Sequence, residues 1–103
     1  MMTKRVFMMA ILIMFTGSGL YAATYSVPGD YTSIQEAIDA ASYGDMIIVD
    51  DGIYYENLSI DTHLIIKSLN GPRQTIIDGA TMGRVINVVA SGSIDLEGFT
   101  IRG

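Results

Sequence analysis

Apolar residues follow three different rhythms along the chain. From Val6 to Phe15 they run together, interrupted only by the small Ala10. Between Ile34 and Ala41 they recur at Ile34, Ala37, Ile38 and Ala41, the spacing that lines one face of a helix, with Gln35, Glu36 and Asp39 away from it. Beyond Gly44 the rhythm changes to short β-prone runs separated by Gly, Asp, Asn and Pro. The runs are Met46 to Val49, Asn57 to Ile60, Leu64 to Ser68, Thr75 to Asp78, Arg84 to Val89, Ser93 to Leu96 and Phe99 to Arg102.

Local signals bound the helix. Ser33 with Glu36 three residues on forms a capping box, and Thr32 with Gln35 is an equivalent one residue earlier, since either hydroxyl can accept from a free first-turn amide. The helix is expected over Ser33 to Tyr43, with Gly44 as the left-handed residue that ends it. Ahead of it, Thr24 to Tyr31 reads as a short extended piece closed by the Pro28-Gly29 turn signal.

The short runs repeat. Ile47 to Gly52, Thr75 to Gly79 and Phe99 to Gly103 each carry a β-branched strand into a charged residue and Gly, and their glycines lie 27 and 24 residues apart. Leu58 to Ile60 is answered by Ile86 to Val88 at 28, and Leu64 to Ile66 by Ile94 to Leu96 at 30. Three strands per repeat describe a coil. A single coil has no second layer to pack on, whereas a stacked one pairs every strand and sets Val, Ile and Leu above one another. The expectation is an all-β solenoid of about two coils, a parallel β-helix truncated after Gly103. The helix would plug one of its two open ends, each a set of unpaired strand edges.

Composition changes this picture in two ways. There is no cysteine, so disulfides cannot supplement so small a core. The first 23 residues read as a secretory leader: Lys4-Arg5 is the basic start, Val6 to Phe15 the apolar centre, and Leu20-Tyr21-Ala22-Ala23 the cleavage region, with cleavage after Ala22 or Ala23. An apolar stretch of about ten residues is well short of the roughly 20 that a spanning helix needs. Met8, Met9 and Met14 are hydrophobic filler in it. The expected division is 1–23 signal peptide, 24–45 strand and capping helix, and 46–103 first coils. Removing the leader removes two of six basic residues and none of eleven acidic ones, leaving a net charge of −7. Such a surface repels nucleic acid and anionic lipid.

Several segments occur in order that resemble the N-terminal portion of the right-handed parallel β-helix, or pectin lyase-like, superfamily. They are Tyr31 to Ala41, Gly44 to Val49, Asp51 to Ile60, Thr75 to Gly79 and Glu97 to Arg102. The resemblance spans residues 25 to 103 and includes pectate lyases and pectin methylesterases. It implies a right-handed coil with a capped N-terminus. It also implies that catalytic carboxylates, arginines or calcium ligands lie on later coils, so no catalytic, cofactor-binding or metal-binding residue is carried over.

Candidate chemistry is sparse. Asp51, Asp78 and Arg102 precede the aligned glycines and would form a column at strand ends, where oxygen ligands suit calcium. Asp-Gly is also ordinary turn chemistry. Tyr54, Tyr55 and Glu56 could offer a carbohydrate an aromatic and acidic patch, against a packing role for Tyr54 in a turn. His63, the only histidine, reads as a solvated turn residue with no triad partner at a suitable spacing. Asn57-Leu58-Ser59 matches the glycosylation sequon, and Asn70 to Arg73 is a turn.

The functional expectation is a non-catalytic capping segment of a secreted or cell-surface β-helix protein that presents its face to a polysaccharide or surface ligand. It needs no cofactor, binds no nucleic acid and does not span a membrane once mature. Self-association through the open last coil is expected. The alternative is the N-terminal part of a polysaccharide lyase, esterase or glycoside hydrolase with its active site on later coils. A third is a broken reading frame.

Overall fold

A computed structural model describes residues 22 to 103 apart from residue 90, so all of the expected leader but its last two residues lies outside the described part. The described elements are β1 (Thr24–Val27), α1 (Ile34–Ala40), β2 (Met46–Val49), β3 (Gly52–Tyr55), β4 (Leu58–Ile60), β5 (His63–Ser68), β6 (Thr75–Asp78), β7 (Ile86–Val88), β8 (Ser93–Glu97) and β9 (Thr100–Arg102). The fold is mostly β.

Every strand pairing is parallel. The first sheet has the order β1-β2-β5-β8, the second β3-β6-β9, and the third pairs β4 with β7. After α1 the chain takes one strand from each sheet in turn and repeats that order as far as β9. Parallel neighbours cannot be joined by a tight hairpin. Here the connection between two neighbours is α1 for β1 and β2, and from β2 onward the passage through the other two sheets.

Three spacings read from the sequence reappear as register. Leu58 lies beside Ile86, Leu64 beside Ile94, and Ile77 beside Ile101. One alignment needs correction: Met46–Val49 does not stack with Thr75–Asp78 but with Ile65–Ser68, 19 residues on. The strand beside Thr75–Asp78 is Gly52–Tyr55. It escapes the pattern because a glycine opens it and its Tyr-Tyr pair reads as turn.

The pleat sorts each strand. In the first sheet Tyr25, Ile47, Ile66 and Leu96 form one column, and Val27 and Val49 begin another. In the second, Tyr54, Ile77 and Ile101 align; in the third, Leu58 with Ile86 and Ile60 with Val88. Ile47, Val49, Leu58, Ile60, Leu64, Ile66 and Ile77 are buried in one core. At about 1.5–3 kcal/mol per buried aliphatic side chain, these columns dominate the stability.

Helix α1 lays Ile34, Ala37 and Ile38 on this core and packs on β1, β2 and β4. It ends earlier than expected. Ala41 is extended, and its N–H caps the Ala37 and Ile38 carbonyls. Gly44, with φ +84°, serves instead the turn into β2.

Candidate functional site

The start of α1 is held by fitted polar contacts. Ser33 Oγ accepts Glu36 N–H at 3.1 Å, and Glu36 Oε1 accepts both Ser33 N–H at 3.2 Å and the Thr32 hydroxyl at 2.6 Å. The Thr32 hydrogen bond, with that from Ser33, holds the Glu36 carboxyl below its ordinary range. A second carboxylate arrives from outside the helix: Glu56 oxygens accept Ile34 and Gln35 N–H groups at 2.9 Å each. Free amides at a helix start favour such an anion.

Gln35 closes the bare edge of the third sheet. Its Oε1 accepts Ser59 N–H at 2.9 Å, and its Nε2 donates to the Ser59 carbonyl at 3.1 Å. The carboxamide thus stands where the backbone of a preceding strand would pair with β4. Sequence periodicity had placed Gln35 on the solvent face and left Glu56 in a possible ligand patch. Neither capping role was visible, because both partners lie more than 20 residues away in the chain.

Among the described residues the same columns reach the edge strands β7 and β9. Val88 and Ile101 are 41% and 42% exposed, and Val89 is exposed beside them.

The expected column of Asp51, Asp78 and Arg102 is not assembled. Tyr55, Asp78 and Arg102 share a register position, and Asp51 lies elsewhere, accepting a hydrogen bond from Asn70 Nδ2 at 2.8 Å. Arg102 Nε donates to Asp78 Oδ2 at 2.9 Å, and Ala80 N–H donates to its Oδ1 at 2.8 Å. The Arg102 hydrogen bond, then that from Ala80, holds Asp78 below its usual carboxylate range. Ion pairing occupies the site where a calcium ligand was considered.

Tyr54, Tyr55 and Glu56 diverge. Tyr54 packs on the core from strand β3, not from a turn, with its hydroxyl donating to the Asp50 carbonyl at 2.9 Å. Burial, reinforced by the Asp50, Glu56 and Asp51 carboxylates, pushes its phenol pKa up. Tyr55 points outward and Glu56 toward the helix. The three do not form one patch. Asn57 of the sequon is also engaged, its Nδ2 donating to the Arg84 carbonyl at 2.9 Å.

His63 is the first residue of β5 and half-buried, not a solvated turn residue. Its Nδ1 lies 2.6 Å from Ser93 Oγ, and its ring packs 5.4 Å from Tyr43. The stacking brings Ser93 next to His63 across 30 residues of chain, a partner that local spacing could not reveal. Among the described residues no group of three His, Cys, Asp or Glu side chains is placed to hold a metal ion.

The outer face of the first sheet carries a shallow groove of about 400 Å³, lined by Met46, Ile65, Lys67, Asp95, Leu96 and Glu97. Lys67 Nζ reaches Glu97 Oε1 at 3.8 Å across it, in an exposed pair. The groove joins an apolar floor to an acidic rim.

These features define a mostly β protein of parallel sheets with one short helix. The chain is similar to a protein named cell surface glycoprotein from Methanothermus fervidus, with 33% identity over 108 residues covering 99% of this chain. That alignment takes in 18% of the relative, so this chain spans less than a fifth of its length. No family model matches the chain, and no solved structure matches it. No helix among the described residues is long and apolar enough to cross a membrane.

Proposed function

We propose that this chain is the N-terminal capping segment of a cell-surface or secreted right-handed parallel β-helix protein. It starts a stack of coils that presents an outer sheet face to a polysaccharide or another surface ligand. The observation that carries this reading is the cyclic order of the three parallel sheets, closed at one end by α1 and left bare at the other. A bare edge built from the columns of a buried core is suited to receive the next coil. The basic-apolar leader pattern favours an extracytoplasmic location, and the name of the longer relative agrees with it.

The role is non-catalytic. Among the described residues no hydrogen bond joins the His63–Ser93 pair to a carboxylate, and Asp78 and Asp51 are engaged with Arg102 and Asn70. The groove over Met46, Ile65 and Lys67 is the ligand face, its floor suited to the apolar side of a sugar ring and its rim to hydroxyl groups. Co-sedimentation of the exported protein with a panel of insoluble surface polysaccharides tests this. Retention that weakens on Ile65→Asp is expected. Absence of retention on every polysaccharide would remove the ligand, and release of unsaturated sugar or methanol from pectin would overturn the non-catalytic role.

A further inference from the structure

Asp45 carries a carboxylate that is only 5% exposed. Its Oδ1 accepts the Ala23 N–H at 2.8 Å, and its Oδ2 accepts the Ser42 N–H at 2.8 Å. Ala23 is held from its other side as well, its carbonyl accepting Met46 N–H at 2.9 Å. The residue before it, Ala22, is exposed. The ion pairs among the described residues join Lys67 to Glu97 and Arg102 to Asp78, and neither involves Asp45. A carboxylate buried against neutral donors retains an unbalanced charge in a poorly hydrated place. A cation at the Ala23 nitrogen would balance it without any movement.

We propose that the Ala22–Ala23 peptide bond is the leader-peptidase cleavage site, and that the α-ammonium released on Ala23 becomes the ionic partner of Asp45. The inference rests on the export reading above and adds to it the bond that is cut and the group that receives the new terminus. In the cleavage, water adds across the amide bond: Ala22 leaves with the leader as a carboxylate, and the Ala23 nitrogen keeps its electron pair and takes up protons. Free α-amines titrate near about 7.7–8.0, so at neutral pH the new terminus is mostly cationic. Cleavage one residue later, which the sequence also allows, would delete both Ala23 contacts.

The test expresses the full chain in an exporting host and reads the mass and N-terminal residue of the recovered protein. Ala23 as first residue is expected, and Thr24 would overturn the proposal while leaving export intact. A chain retained inside the cell with its leader would overturn the export reading itself. The processed protein is then acetylated at neutral pH on its α-amine, which removes the charge and leaves an amide like that of the precursor. A fall in Tm of roughly 5 °C is expected, the size that follows from about 1 kcal/mol in a domain this small. In Asp45→Asn the same acetylation should leave Tm unchanged. An unchanged Tm on acetylating the unsubstituted protein contradicts the pairing whether or not Asp45→Asn folds.

Discussion

Ile60 and Val88 occupy one column of the third sheet, and Ile77 and Ile101 one column of the second. The first of each pair is fully buried, whereas Val88 is 41% and Ile101 42% exposed. Side-chain type is nearly the same, so the difference comes from what lies on each end. Beside Ile60 sit α1 and the side chain of Gln35, and Ile77 lies on a strand paired on both sides, by β3 and β9. Val88 and Ile101 lie on edge strands, with no further strand beside them among the described residues. A strand paired on one side alone holds about half the contacts of a strand paired on both.

The largest way to break the comparison is within one column. Ile77→Ala should cost about 2–5 kcal/mol by urea denaturation, and Ile101→Ala less than about 1 kcal/mol. Equal costs would mean that the edge strand β9 is as well covered as β6. Next in size, Glu56→Ala removes an acceptor from two helix-start amides and should cost about 1–2 kcal/mol. Asp51→Ala, at an exposed turn, should fall within about 0.5 kcal/mol.

A gain in place of a loss sharpens the account of the core. Thr75 is fully buried beside Gly52, and its hydroxyl has no hydrogen-bond partner among the described residues. Thr75→Val keeps the shape and removes the stranded polar group, so stability should rise by about 1 kcal/mol.

The smallest effect compares two regions through their titration. Glu36 at the start of α1 and Asp78 beside the edge strand β9 both have depressed pKa values. Each contributes stability that is present above the ordinary carboxylate range and lost as pH falls through the lowered folded value. In an NMR titration, Arg102→Ala should raise the Asp78 midpoint and leave that of Glu36 in place, whereas Thr32→Ala should do the reverse.

The parts of this fold that local chemistry specifies were legible in the sequence. The apolar stripe of α1 and its Ser33–Glu36 box follow from spacing alone, and the pairings of Leu58 with Ile86 and Leu64 with Ile94 follow from the repeat. Strand β3 was not legible, since its glycine and tyrosines resemble a turn and only parallel partners make them extended. That omission displaced Asp51 into a column it does not join. The contacts of Glu56, Gln35 and His63 were hidden for a different reason: their partners are fixed by stacking, over distances in sequence where side-chain chemistry gives no signal.

Residue-resolved amide hydrogen exchange on the processed protein tests most directly the claim that one end is closed and the other open. Slow exchange through β2, β4 and β5, including the Ser59 amide held by Gln35, is expected to reach the protection of global unfolding. Exchange through β7 and β9 should be much faster, by local opening. Uniform protection across all strands, or the slowest amides in β7 and β9, would contradict the account.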